Sequence, residues 1–214
     1  MTHIFKTRAD AGRMLAARLE KFRQDNPVIL ALPRGGVPLA FEIARALNAP
    51  LDVILVRKIP APMSPELAAG AVVDGENPQI VLNDEIVRLY KIKPDYIADR
   101  ASQQIKEIER RRKLYRHGEP ALPVNGRTVI VVDDGIATGA TMRAALRGLK
   151  KQNPAKIIMA VPVAPVDTLA ELSADADEII CLETPEPFYA VGNYYRDFTQ
   201  VTDERVIDFM SQVA

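Results

Sequence analysis

The chain has 214 residues, 48% hydrophobic, 26% charged and only 6% aromatic, which is enough for one well-filled core. Its 28 Lys and Arg balance its 28 Asp and Glu, so there is no overall pull toward nucleic acid or an anionic membrane, and any anion site has to be local. One cysteine excludes an intrachain disulfide and fits a reducing compartment, two histidines are too few for a zinc cluster, and no apolar run approaches the roughly 20 residues of a membrane span.

With no secretory signal at the N-terminus, the expectation is a single cytoplasmic domain over residues 1–214. Its first element reads as an amphipathic helix over residues 8–23, with Ala11, Met14, Leu15, Leu19 and Phe22 on one face. Nearly all-apolar runs follow at "VILAL" (28–32), "LDVILV" (51–56), "TVIVV" (128–132), "KIIMAVPV" (156–163) and "DEIICL" (177–182), the last placing Cys181 as a buried packing residue. Runs without polar alternation belong to a parallel sheet covered on both faces. Helical spacing fills the gaps at "VPLAFEIARALN" (37–48), "GATMRAALRGLKKQ" (139–152) and "VDTLAELSA" (166–174). This alternation predicts an α/β fold with a doubly wound, mostly parallel sheet.

Two stretches interrupt the pattern. In "VRKIPAPMSPELAAGAV" (56–72), Pro60, Pro62 and Pro65 exclude helix and central strand, so the segment reads as a long functional loop. Residues 94–117, opening at Pro94 and stopped by Gly118, read as a long inserted helix whose apolar stripe is Ile97, Ala101, Ile105 and Ile108. Its "ERRRK" run (109–113) sits near the C-terminus, where the helix dipole favours cations. A solvated face is the plain reading of that run, and a surface for RNA or a protein partner is the alternative.

The stretch "VIVVDDGIATGAT" (129–141) carries the chemistry. Open parallel sheets bind ligands beyond the carboxyl ends of their strands, and Asp133 and Asp134 stand at such an end. Two adjacent carboxylates repel and resist burial unless something cationic or hydrogen-donating faces them, as a hydrated Mg²⁺ or a pair of sugar hydroxyls would. The turn that follows lets backbone N–H groups converge, because Gly135 and Gly139 permit close approach, and Thr138 and Thr141 add hydroxyl donors at the start of a helix that favours an anion. A ligand with both a phosphate and a polyol, such as a phosphorylated ribose, satisfies both halves. Neither a Walker loop nor a Gly-x-Gly-x-x-Gly fingerprint is present.

That stretch resembles the phosphoribosyl pyrophosphate signature of type I phosphoribosyltransferases, and the resemblance runs over roughly residues 28–198. It implies the Rossmann-like fold of that family, with a core at about 25–182, the inserted helix at about 94–117 and a small C-terminal hood at about 183–200. It also implies Mg²⁺ as cofactor and a homodimer. Asp133 and Asp134 would hold the ribose hydroxyls and the metal, and Ala137, Thr138, Gly139, Ala140 and Thr141 the 5-phosphate. "LPRGGVPLA" (32–40) resembles the family's pyrophosphate loop, with Arg34 as a fixed charge, Gly35 and Gly36 presenting amides, and a non-proline cis peptide expected at Arg34–Gly35. Residues 56–72 resemble the flexible lid, bringing Arg57 and Lys58 to the pyrophosphate. Relatives often carry lysine or histidine further along this lid; here there are only Ser64 and Glu66, which makes Glu66, beside Lys58, the candidate for proton transfer.

"PFYAVGNYYRDF" (187–198) resembles the base-binding hood of purine-type relatives: Phe188 or Tyr189 would stack on the base, Val191 and Gly192 line its edge, and Asp197 lie near the metal. A hydrophobic plug over the sheet edge is the alternative. The implied reaction moves a 5-phosphoribosyl group to a nitrogenous acceptor with release of pyrophosphate, a step of nucleotide metabolism. Ala137 stands where 6-oxopurine enzymes carry an acid, so the hood points toward a purine and the loop away from one, leaving purine, pyrimidine and other acceptors open. The rival is a non-catalytic sensor of phosphoribosyl pyrophosphate or a nucleotide that binds RNA or a protein through Arg110, Arg111 and Arg112.

Overall fold

The computed structural model describes residues 4–62, 64–75, 77–116 and 118–212, with the side chains of Pro65 and Glu66 outside that description. The chain runs through α1 (Arg8–Leu19), β1 (Val28–Ala31), α2 (Val37–Leu47), β2 (Leu51–Val53), β3 (Val56–Ala61), β4 (Ser64–Val73), β5 (Gln79–Leu82), α3 (Asp84–Leu89) and α4 (Pro94–Arg116). It continues through β6 (Thr128–Val132), α5 (Ala140–Lys150), β7 (Lys156–Val163), α6 (Val166–Leu172), β8 (Glu178–Glu183) and α7 (Asp203–Ser211).

The five apolar runs form one parallel sheet in the order β2-β1-β6-β7-β8. Alternate residues of a strand point to opposite faces, and both faces are buried. Ile29, Ala31, Ile130, Val132, Ile158 and Ala160 pack with Leu15 and Leu19 of α1 and Leu39 and Ile43 of α2. Val28, Leu30, Val129, Val131, Ile157 and Met159 pack with Met142, Leu146 and Leu149 of α5 and Leu172 of α6. Helices on both faces make the sheet doubly wound, as expected. Among the described residues no helix is long and apolar enough to cross a membrane.

α1 begins where Thr7 accepts the Asp10 N–H at 3.1 Å, and the Asp10 carboxylate accepts the Lys6 N–H just before the cap at 3.2 Å. It ends at Leu19 rather than near Arg23; residues Glu20–Asp25 tighten into a 3-10 turn that still buries Phe22 and leaves Met14 exposed.

The segment 56–72 is a hairpin and not a loop. β3 and β4 pair antiparallel, and β5 adds a third strand beside β4. Pro60 is tolerated because β3 is an edge strand whose register shifts on both sides of it, Pro62 lies at the tip between the strands, and Pro65, although in the middle strand β4, precedes the stretch Gly70–Val73 that pairs with β5. The preceding strand is correspondingly shorter than expected, ending at Val53 before the chain turns into this second sheet.

α4 is anchored at its C-terminal end by a buried charge cluster. Arg116 Nε lies 2.5 Å from Asp52 Oδ1 and Nη1 lies 2.8 Å from Asp74 Oδ2, while Nη2 donates to Val53 O. Asp52 also accepts the N–H groups of Val53 at 2.7 Å and Leu122 at 2.9 Å. Burial works against the Arg116 cation, but the two carboxylates outweigh it and hold its pKa above the ordinary value. The three arginines of the basic run are paired as well: Arg110 and Arg111 share Glu107, and Arg112 meets Asp74. Arg110 and then Arg111 hold the Glu107 carboxyl down at about 2.

Candidate functional site

The order of the parallel sheet reverses between β1, which leads outward to β2, and β6, which leads the other way; a crevice opens there at the carboxyl ends. The loop after β1 and the turn after β6 lie against each other across it. Leu32 N–H donates to Val132 O at 2.9 Å. Gly35 sits so close to Asp134 that a Cβ would fall 2.1 Å from Oδ2, so no side chain fits. The cis peptide here joins Pro33 to Arg34, one bond earlier than expected.

Two helices open at this crevice, α2 from Gly36 and α5 from Gly139, and neither has a side-chain cap. Gly139 adopts φ 72°, a left-handed conformation that favours glycine. At α5 the first N–H groups remain for a ligand, and the helix dipole makes an anion the preferred one; at α2 Gly36 N–H already donates to Leu32 O at 3.0 Å and Val37 N–H to Arg34 O at 3.3 Å, and Pro38 has none. Ala137, Thr138, Ala140 and Thr141 are exposed, while the turn is fixed from behind by Ile136 N–H on Val163 O at 2.9 Å and Thr168 Oγ1 on Ala137 O at 2.9 Å.

The acidic pair is half-buried between these anion-seeking ends. Burial, then the neighbouring Asp134 charge, pushes the Asp133 carboxyl well above the usual range, although Asp133 Oδ1 accepts the Asp134 N–H at 2.9 Å. Burial raises Asp134 as well, with Arg8 opposing it. Arg8 Nε donates to Asp134 Oδ2 at 2.7 Å and Nη1 to Thr199 O at 2.8 Å, and its guanidinium lies 3.8 Å from the centre of the Phe198 ring. Tyr195 OH donates to Asp134 O at 2.6 Å, and burial raises its pKa.

On the other side, a cavity of about 830 Å³ separates the hairpin from the start of α5; Arg57, Lys58, Gln104, Ala140, Thr141 and Arg143 are among its walls. It brings the expected lid cations to the expected phosphate turn. Arg57 Nε donates to Gln104 Oε1 at 3.3 Å, so α4 positions this cation. Arg34 lies elsewhere, with Nη1 3.5 Å from Asp203 Oδ1, an oxygen that also accepts Tyr115 OH at 2.6 Å. Burial and then that hydrogen bond push the Tyr115 phenol up to about 12.

Residues 2–199 match the family model described as the phosphoribosyl transferase domain. The chain belongs to the phosphoribosyl transferase domain family. Two Mycobacterium tuberculosis proteins, MT0597 and Rv0571c, named as candidate phosphoribosyl transferases, are 45% identical over 209 residues, 98% of this chain and 47% of theirs. The chain thus spans about half the length of these curated relatives. The crystal structure of TT1426 from Thermus thermophilus superposes with a TM-score of 0.87 at 42% identity, covering 98% of this chain and 99% of that one.

In this phosphoribosyl transferase domain the hood aromatics mostly pack on one another. Phe188, expected to stack on a base, meets Tyr194 at 5.3 Å between ring centres, while Tyr189 is exposed. Val191 covers Gly135, close enough that a Cβ there would fall 2.5 Å from Val191 Cγ1, and Gly192 backs onto Phe198. Asp197 turns to Thr199, accepting its N–H at 3.0 Å and Oγ1 at 2.7 Å, and among the described residues no three metal-ligating side chains converge. Glu66 lies in β4, but its side chain is outside the described residues. Sequence reasoning missed Arg8, Gln104, Tyr115, Tyr195 and Asp203. Only Arg8 carried a signal: a cation in the first turn of a helix opposes the dipole and implies an anion nearby.

Proposed function

We propose that this domain transfers a 5-phosphoribosyl group from phosphoribosyl pyrophosphate to a nitrogenous acceptor and releases pyrophosphate. The observation that carries this reading is the meeting, at one switch point, of two glycine-started helix N-termini and the Asp133–Asp134 pair. The start of α5 and the Gly35 amide, on either side of a carboxylate, match a ligand with phosphate at both ends and hydroxyls between. The turn 137–141 holds the 5-phosphate, and Gly35 presents its amide to the pyrophosphate, while the Gly36 N–H closes the loop onto Leu32 O. Arg57 and Lys58 stabilise the charge that builds on the leaving group, joined by Arg34 once it turns from Asp203, and the protein's contribution is orientation and electrostatics. Asp133 fits a Mg²⁺ site, since this ion takes one or two carboxylates and completes its shell with water and substrate oxygens. When bound, Mg²⁺ would neutralise pyrophosphate charge. A cytoplasmic homodimer belongs to the same reading.

Ala137 gives the phosphate turn no group able to exchange a proton with a base. Acceptors that need such help, the 6-oxopurines, are therefore expected to be poor. The test is pyrophosphate release measured with Mg²⁺ against a panel of purines, pyrimidines and other ring nitrogens. The expected result is acceptor-dependent release with at least one of them and little with hypoxanthine or guanine. Release with none, under conditions where phosphoribosyl pyrophosphate binds, would end the transferase reading.

A further inference from the structure

We propose that Arg8 is a positioning residue of the phosphoribosyl site: it takes up the charge of Asp134, ties that carboxylate to the C-terminal hood, and leaves Asp133 as the acid that meets ribose and metal. The inference rests on the transfer reading above and divides a pair that looks symmetrical in sequence.

Three observations separate the two aspartates. The Arg8–Asp134 contact, at 2.7 Å, is shielded, with the side chains only 11% and 15% exposed. A pair this sheltered differs from a solvated surface bridge, because removing one partner leaves the other charge enclosed. Next, Arg8 is itself held from two further directions, by Thr199 O and by the face of Phe198. Both belong to the hood, and the hood is laced to the chain just before α1: Phe5 N–H donates to Tyr194 O at 3.0 Å, Arg196 N–H to Phe5 O at 2.9 Å and Asp197 N–H to Lys6 O at 3.0 Å. Finally, the rest of Asp134 is enclosed by protein, with Tyr195 on its carbonyl oxygen and Gly35 against its carboxylate. Asp133 has instead a backbone N–H as partner.

It follows that Asp134 acts through its orientation, and that the crevice is complete only when residues 4–8 and 194–199 are docked. Calorimetric titration of phosphoribosyl pyrophosphate with Mg²⁺ tests this on wild type, Asp133→Asn, Asp134→Asn, Arg8→Met, Arg8→Lys and the double variant Arg8→Met/Asp134→Asn, each with a thermal melt. Asp133→Asn is expected to weaken binding by about 100-fold or more. Asp134→Asn, whose amide oxygen still accepts from Arg8, should lose no more than about tenfold, and Arg8→Met about 10–100-fold with a lower melting temperature. Arg8→Lys should recover part of the affinity. The double variant should regain most of the lost melting temperature, because no unpaired charge is left enclosed. A purely structural Arg8 would lower the melting temperature without making the two aspartates unequal. Equal losses at Asp133 and Asp134, or wild-type affinity in folded Arg8→Met, would overturn the proposal alone. A wild type that does not bind phosphoribosyl pyrophosphate would overturn the transfer reading and this proposal with it.

Discussion

Asp133→Asn is expected to lower turnover on the order of 10²–10³-fold while raising the melting temperature of the metal-free protein near neutral pH. The two effects have one cause. Burial and the neighbouring Asp134 charge hold the folded pKa of Asp133 above its unfolded value. A carboxyl raised in this way favours the folded state most when protonated, below the unfolded pKa of about 3.9. That advantage is lost as pH rises from the unfolded toward the folded pKa, so at neutral pH, where the unfolded carboxyl is ionised, the raised folded pKa costs the native state stability. Asparagine removes the charge and keeps an oxygen to accept the Asp134 N–H. The gain should be roughly 0.5–2 kcal/mol near neutral pH and should shrink as pH falls toward the unfolded pKa. Melts of both proteins across that range, in chelator, check the sign. A gain that grows on acidification, or none at all, would contradict the assignment of Asp133 as a group held against its own stability for ligand binding.

Arg116→Met should have the largest effect on stability, about 3–5 kcal/mol, because it leaves Asp52 and Asp74 enclosed after losing the cation between them. For a chain of this size that corresponds to a fall in melting temperature on the order of 6–20 °C. Asp74 keeps Arg112 and Asp52 keeps two backbone N–H donors, so the protein should still fold in the cold. Arg116→Lys should recover only part, since one ammonium cannot reproduce a planar fork across Asp52, Asp74 and Val53 O. The loss should also reach the site, because α4 carries Gln104, which orients Arg57, and Tyr115, which holds Asp203 near Arg34. Calorimetric melts with pyrophosphate release on the same samples test both parts. A change below about 1 kcal/mol would mean that the cluster is as replaceable as a surface ion pair.

The parallel sheet was legible in the sequence because β1, β6 and β7 bury both faces and so show unbroken apolar runs. The acidic turn was legible for a different reason: adjacent carboxylates followed by small residues make poor core, and the crevice at the switch point explains them. The hairpin was hidden because proline is excluded from the paired interior of a sheet but not from an edge strand with a shifted register, as at Pro60, or from the end of a strand before its pairing with β5 begins, as at Pro65, and nothing local distinguishes these cases. β5, α3 and α7 were missed because they are short and much of their surface is exposed, leaving a weak apolar period. The partners that tune the site, Arg8 from α1, Tyr115 from α4, and Tyr195 and Asp203 from beyond the last core strand, come from far along the chain. Their roles follow from tertiary packing, to which local spacing is blind.

The central claim is that the turn at the end of β6 holds the phosphate of a ribose whose hydroxyls and metal face Asp133. The most direct test is a phosphorus NMR titration of phosphoribosyl pyrophosphate with Mg²⁺ into the wild-type protein, repeated with Asp133→Asn. The 5-phosphate and pyrophosphate resonances should move together with wild type and stay near their free positions with the variant. A pyrophosphate signal that shifts while the 5-phosphate does not, or spectra unchanged by excess wild-type protein, would contradict the account.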